Sequence, residues 1–357
     1  MPLQRFERIA EINAARWDRV VSYRPFAGHA WLAYGERVHA ADRPVYLLAS
    51  APDGIETGCI CWVRRREQLP VSSGLIRAMI DRYLVDRPLI TCQTAVVGQT
   101  GLFTHHSTSG RIARLAAGMK QILEESGGSF LIVPYLSPAT AEEPDWGEGF
   151  LTAVMPQGTY LQVAWPDFPS YLVGRGRSMR KDYRRHRNRV VQLRLQTRID
   201  NRPPEPDRIR RLVRSVESRH GSAPLPHLDR LARERSVPGG KWIIVEREGE
   251  VVGCGLMVRD RDRIALTCLG LAEGAQNVYF ELMYGAIEHA IDSGAVGVFG
   301  GGGAYDFKER LGYRRTVENR VLFFARSPRL RRLGAWLAGQ ETRRSFLFAP
   351  AQNSLPL

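Results

Sequence analysis

VGVFGGGGAYDFKERLGY, residues Val296–Tyr313, is the stretch whose reading decides the fold. The apolar residues Val296, Val298 and Phe299 make a short, β-rich run of the kind that forms a buried strand. Gly300, Gly301, Gly302 and Gly303 let the chain take positive φ and bring its backbone close to a ligand. A helix that begins after such a turn points unpaired N–H groups at whatever sits there. It carries Lys308 one turn beyond Tyr305, and Gly312 stops it. Four glycines alone are equally well a tight turn, so the flanking sequence has to decide.

Working outward, VYFELMYGAIEHAIDSG (278–294) reads as an amphipathic helix ended by Gly294. Before it, residues 241–271 read as three antiparallel strands with turns at Glu248-Gly249 and Arg259 to Asp262. The half opens with a helix over 170–192 and the strand LRLQTRI. A Pro-rich linker (Asn201 to Pro206), the helix DRIRRLVRSVESRH and the short helix HLDRLARERS follow. RVLFFAR (320–326) closes that sheet, PRLRRLGAWLAG (328–339) is a basic amphipathic helix, and 340–357 is a tail.

The first half echoes this order. Helices span 5–40, and 44–50 and 56–66 make a hairpin around Pro52-Asp53-Gly54. A helix (74–84), a strand (88–98) and a loop with His105 and His106 follow. Ser109 caps a helix running to Ser126, and strands over 130–136 and 159–165 end the half. The expectation is an α/β (α+β) protein of two similar halves, each a mixed, mainly antiparallel sheet flanked by helices. The boundaries fall at 1–165, 166–327 and 328–357.

Lys and Arg number 51 against 37 Asp and Glu, a net charge of +14 carried almost entirely by arginine. Arginine's planar fork suits phosphate, and a field of this sign favours polyanionic partners. An apolar content of 44% supplies a core and argues against global disorder. The five cysteines form no C-x-x-C pair, and Cys59 with Cys61 alone cannot make a zinc site. They read as reduced core thiols, and no metal is expected. Residues 1–20 lack the apolar core of a signal peptide, and no apolar run approaches the ~18 residues of a membrane span, so the expected location is cytoplasmic.

FELMYGAIEHAIDSGAVGVFGGGGAYDFKERLGYRR resembles the last helix–strand–helix–strand unit of the Fem-type and related predicted N-acyltransferases, members of the GNAT superfamily. Phe280, Glu281, Tyr284, Gly301, Phe307, Lys308 and Gly312 fall on the family's positions. The Arg/Lys-rich helix at 175–189 resembles the one that opens the second half of these enzymes. The likeness covers about residues 165–325. Over 1–164 it is architectural, consistent with tandem GNAT-like halves.

Coenzyme-A-dependent members of the superfamily carry (Arg/Gln)-x-x-Gly-x-(Gly/Ala) ahead of the helix, where backbone N–H groups hold the pyrophosphate. Aligning Gly274 here puts Leu271 and Gln276 on the other two positions and Glu273 beside them. This departure counts against acetyl-CoA. Fem-type enzymes also lack a working pyrophosphate loop and take their acyl group from aminoacyl-tRNA.

The resemblance therefore implies an aminoacyl-tRNA-dependent N-acyltransferase that joins the amino acid to the amine of a small molecule or cell-wall precursor. Aminoacyl-tRNA would be co-substrate, with no separate cofactor. An acyl-CoA-dependent enzyme on the same fold is the alternative, and a non-catalytic RNA-binding protein the third reading. Lys308, with the N–H groups of the glycine turn, is the candidate oxyanion stabiliser. Tyr305, Asp306 or Glu281 could assist proton transfer. Gly301, Gly302, Gly303, Phe307, Tyr279, Tyr284 and Cys268 are the candidate substrate wall. Arg175, Arg177, Arg180, Lys181, Arg184, Arg185 and Arg187 would hold tRNA phosphates. Arg208, Arg210, Arg211, Arg214 and the Arg329, Arg331, Arg332 helix could extend that patch. His220 and His227 have no matched ligands, and His289 is expected to pack.

Overall fold

The computed structural model describes residues 3–22, 24–50, 56–65, 87–104, 110–203, 205–219, 228, 239–317, 319–333 and 335–336. The turn at 52–54, the helices at 74–84 and 227–236, Ser109, His105, His106, His220, His227 and the 340–357 tail lie outside these residues. The chain divides into two compact units, Met1–Gln157 with Val317–Leu357, and Gly158–Thr316.

In the first unit the strands are β1 (Leu3–Phe6), β2 (Arg43–Ser50), β3 (Glu56–Arg64), β4 (Leu89–Thr91), β5 (Leu102–Phe103), β6 (Phe130–Leu136), β7 (Phe150–Met155) and, from the far end of the chain, β15 (Asn319–Phe324). They form one sheet in the order β1-β2-β3-β4-β6-β15-β7, with β5 paired to β3. The helices are α1 (Ala14–Val20), α2 (His29–Val38), α3 (Arg111–Glu125) and the short α4 (Pro138–Ala141). The apolar face of α3, Ile112, Leu115, Met119, Ile122 and Leu123, packs on Val45, Leu47 and Leu131 of the sheet. Among the described residues only β4 and β6 run parallel, with Leu89, Ile90 and Thr91 opposite Phe130, Leu131 and Ile132.

The second unit holds β8 (Thr159–Gln162), α5 (Phe168–Gly174), α6 (Gly176–Gln192), β9 (Leu195–Asp200), α7 (Pro206–Arg219), β10 (Gly240–Arg247), β11 (Glu250–Asp260), β12 (Arg263–Leu271), α8 (Gln276–Asp292), β13 (Gly297–Phe299), α9 (Tyr305–Arg310) and β14 (Arg314–Arg315). The sheet order is β14-β8-β13-β12-β11-β10-β9. Helix α8 buries Leu282, Met283, Ala286, Ile287 and Ala290 in the core. It lies close to β10, because a Cβ on Gly285 would stand 2.4 Å from Ile243 Cδ1.

Both sheets are mixed and mainly antiparallel, as the strand pattern implies. Two strands differ from the expected division. TYLQ, read as the end of the first half, is β8 in the second sheet, between β13 and β14. RVLFF, read as closing the second sheet, is β15 in the first, between β6 and β7. The boundaries therefore fall after Gln157 and Thr316. An alternating apolar pattern identifies a strand but not the sheet whose hydrogen bonds it completes. The start of the chain, read as helical from residue 5, begins instead with β1. The helix expected over 170–192 is two, broken where Gly176 takes φ +89°.

Candidate functional site

Strands β12 and β13 run parallel only over Arg263–Ala265, opposite Gly297–Phe299. Beyond this pair the chain leaves β13 into the glycine turn, and β12 continues to Leu271 and the start of α8. The Gly300 N–H donates to the Thr159 carbonyl at 2.9 Å, and the Thr159 hydroxyl donates to the Gly301 carbonyl at 2.7 Å. Gly300 has no room for a side chain: its Cβ would stand 2.8 Å from Thr159 Oγ1 and 2.9 Å from the Tyr313 ring. Gly301 and Gly303 hold φ of +67° and +76°, which other residues adopt at a cost.

Lys308 lies inside this turn and is 2% exposed. Its ammonium donates to the carbonyls of Gly300 at 2.6 Å, Gly302 at 3.0 Å and Gly301 at 3.3 Å. Three N–H bonds meet three acceptors, so the charge is fully engaged. A trans peptide points its C=O and N–H in opposite directions. With these carbonyls turned onto Lys308, the N–H groups of Gly301, Gly302 and Gly303 face away from it, and all three residues are exposed. The arrangement is a turn whose N–H groups diverge toward solvent with a positive charge behind them, which favours an anion beside it. Burial lowers the Lys308 pKa to about 8.

Tyr305 is half-buried beneath the Arg315 guanidinium, 4.6 Å from its ring centre, and Asp306 is exposed. Phe307 packs edge-on against Phe280 at 4.6 Å and against Tyr279 at 5.4 Å, joining α9 to the first turns of α8. Tyr279 and Phe307 are half-buried. Tyr284 packs at 5.0 Å on Tyr183, and Cys268 is buried, its thiol pushed up to about 12 by burial. Cys268 is a core group, whereas Tyr284, also buried, lines the cavity beside Glu281. The loop Ala272–Ala275 leads into α8 with no side-chain cap, and Gly274 is exposed at φ +71°.

Glu281 is 6% exposed and accepts three hydrogen bonds: from His186 Nε2 at 2.8 Å, Arg187 Nη1 at 3.0 Å and Thr197 Oγ1 at 2.7 Å. Burial pulls its pKa upward, but the bonds from His186 and Thr197 with the nearby charges outweigh that and hold it below the ordinary range. Glu281 thereby ties α6 and β9 to α8, with two hydrogen bonds on Oε1 and one on Oε2. Beside it, a cavity of about 460 Å³ is lined by Arg187, Thr197, Ile199, Glu288, His289 and Asp292, among others. His289, expected only to pack, is a wall residue here. The i, i+7, i+11 spacing of Glu281, Glu288 and Asp292 along α8 was the available signal for this wall.

The basic residues divide sharply. On α6, Arg177, Arg180, Lys181, Arg184, Arg185 and Arg187 are exposed. Among the described residues, no carboxylate lies within ion-pair distance of Arg177, Arg180, Lys181 or Arg184. Arg185 meets Asp182 at 3.5 Å, and Arg187 meets Glu281. Arg175 is different: its guanidinium donates to the carbonyls of Glu309 and Arg310 and caps the end of α9. On α7, Arg208, Arg210 and Arg214 pair with Glu250, Asp207 and Glu217 at 2.6–2.8 Å, at 2.6, 2.6 and 2.8 Å respectively. These three do not extend the free patch. Arg329, Arg331 and Arg332 belong to the first unit.

A family model described as "Acetyltransferase (GNAT) domain" matches residues 177–309, within the second unit. No curated protein sequence matches. Among solved structures, FemX is similar with a TM-score of 0.60 at 9% identity, over 92% of this chain and 99% of that one. A tandem GNAT protein from the clavulanic acid biosynthesis pathway gives 0.52 at 9% identity, over 92% and 99%. The C-terminal domain of a putative lysylphosphatidylglycerol synthetase from Agrobacterium fabrum gives 0.51 at 10% identity, over 93% and 96%. At these identities the likeness is one of fold. Among the described residues, no helix is long and apolar enough to cross a membrane. Residues 177–309 thus match a GNAT acetyltransferase domain, and the chain as a whole shares its fold with FemX and with a tandem GNAT protein.

Proposed function

We propose that the chain transfers an aminoacyl group from aminoacyl-tRNA to the amine of a small-molecule or cell-wall-precursor acceptor. The observation that carries this reading is the glycine turn, whose carbonyls are bound to Lys308 and whose N–H groups of Gly301–Gly303 face outward. An ester donor is already activated, so the enzyme has mainly to position two partners and stabilise an oxyanion. The acceptor nitrogen attacks the ester carbonyl carbon, and the oxygen takes up negative charge at an outward-facing N–H group of the turn. The carbon–oxygen bond to the ribose then breaks, the new amide forms, and the amine proton passes to the departing ribose hydroxyl. Lys308 acts through the turn it holds and is a positioning residue in this scheme. Glu281 anchors α6 and takes no proton, and Tyr305 and Asp306 flank the turn. No metal or separate cofactor is required.

The donor assignment rests on α6. Its unpaired Arg177, Arg180, Lys181 and Arg184 repel one another unless a polyanion neutralises them. Fem-type enzymes, which the second half resembles, use aminoacyl-tRNA. An acyl-CoA donor is the second reading, favoured by the start of α8, which carries no side-chain cap at the end of β12. The deciding experiment supplies an amine panel with a charged-tRNA mixture, with and without RNase. Product that disappears with RNase supports the tRNA reading; product that survives RNase, or robust turnover with acyl-CoA alone, replaces it with the second. Binding of tRNA without turnover on any donor would make the chain an RNA-binding protein of this fold.

A further inference from the structure

The first unit holds a group of side chains that acyl transfer does not use. Cys59 and Cys61 project from β3 to the same side of the sheet, as alternate residues of a strand do. Cys92 follows directly on β4, whose Thr91 faces Trp62 of β3. The fold therefore adds a third thiol to a pair that in the sequence looked too small for a metal. All three cysteines are fully buried and free, and their Sγ atoms lie within 4.8 Å of one another. Among the described residues they are the one group of three His, Cys, Asp or Glu side chains with this geometry.

We infer that Cys59, Cys61 and Cys92 form a trigonal binding site for a single soft monovalent d10 ion, copper(I). An ion about 2.3 Å from each of three sulfurs would hold them at the corners of a triangle with edges of about 4 Å. The observed spread of the sulfurs accommodates that triangle with sub-ångström adjustments. Zinc in a closed site takes four ligands, and among the described residues no fourth His, Cys, Asp or Glu joins this trio. Thiolates select copper(I) among soft ions, and an all-sulfur set excludes the hard cations.

Copper(I) that displaces one thiol proton to solvent is held by one thiolate and two thiols, so the net charge of the site is unchanged. The apolar core around the trio, with Val45, Ile90, Leu115 and Met119, gains no charge on binding. No oxidant or reductant takes part.

The test is anaerobic. The full chain is exposed to copper(I) delivered by a bathocuproine chelate, both as the native protein and during refolding from urea, then desalted and assayed for copper. One equivalent per chain, retained in Cys254→Ala and lost in Cys61→Ala and in Cys92→Ala, is expected. X-ray absorption on the loaded wild type should show about three sulfur scatterers at one distance. Substoichiometric copper after both treatments overturns the inference, as does equal uptake by Cys61→Ala. The absorption measurement needs no variant, so nitrogen or oxygen ligands there overturn it even if the cysteine variants fail to fold.

Discussion

Among the described residues each unit contains one parallel strand pair, and the two exits from those pairs are built differently. In the first unit β6 runs into Ser137 and Pro138, and the Ser137 hydroxyl accepts the Thr140 N–H at 3.1 Å, capping α4. The chain leaving β4 is closed from within: Trp62 Nε1 donates to the Gln93 carbonyl at 2.9 Å and Trp31 Nε1 to that of Ala95 at 3.0 Å. In the second unit neither exit has a side-chain cap, at Ala275 ahead of α8 or at Ala304 ahead of α9. The carbonyls after β13 are bound by an ammonium, and the matching N–H groups are exposed. Backbone groups need partners in both units. The peptide after Gln93 is satisfied on both sides, by Trp62 and by the Gln99 carbonyl that accepts the Thr94 N–H at 3.0 Å, whereas Lys308 satisfies one side of its peptides and the other faces outward.

That contrast can be attacked from either side. The largest effect is expected from Lys308→Met, which removes the ammonium from three carbonyls: kcat should fall about 100- to 1,000-fold. Circular dichroism should show the fold retained, and loss of KM alone would mean the turn serves binding only. Next is Glu281→Ala, which leaves Arg187 and His186 beside a vacated buried site. Denaturant unfolding should show a loss of about 3 kcal/mol. Because the Glu281 carboxyl is held below its unfolded value, its contribution is present at neutral pH and lost on acidification through the folded pKa; a Glu281→Gln protein should show a flatter acid limb.

The third effect is a pH dependence. Lys308 at about 8 loses its proton from the folded protein well before the unfolded chain does at 10.5. Turnover should fall by about tenfold at one pH unit above 8. The unfolded state binds more protons between these values, so this group makes stability rise from pH 8 to 10.5. Activity lost together with Tm would contradict that assignment. Fourth, reversing Arg180 and Arg184 to glutamate should make the slope of log affinity for tRNA against log salt shallower by about 2. The same reversal at Arg210 and Arg214 on α7 should leave it unchanged. The smallest effect is Ser137→Ala in the first unit, expected to cost about 1 kcal/mol with kcat intact.

The site was legible where chemistry is local. Strand, glycine turn and Lys308 follow from composition and spacing, and the structure keeps them together. The role of Lys308 was not legible, because its distance to three carbonyls depends on how the turn closes over it. Glu281 stood out as an acid on an apolar helix. Its partners His186 and Thr197 lie 95 and 84 residues earlier, and only the packing of α6 and β9 on α8 brings them within reach. The two arginine-rich helices could not be told apart by their runs of charge. Arg208 pairs with Glu250 across the fold, while Arg210 and Arg214 pair within their own helix through acids three residues away.

The amino-acid sequence by itself determined the period of each strand and helix, the glycine positions that demand positive φ, the excess of arginine and the tandem order of elements. These are properties of short windows, set by sterics and by the alternation of apolar side chains. Tertiary structure alone decided which sheet receives β8 and β15, which arginines stay unpaired, and that Cys92 stands beside Cys59 and Cys61. Each depends on contacts between residues distant in the chain, where hydrogen-bond pairing and burial choose among partners that local pattern leaves equivalent.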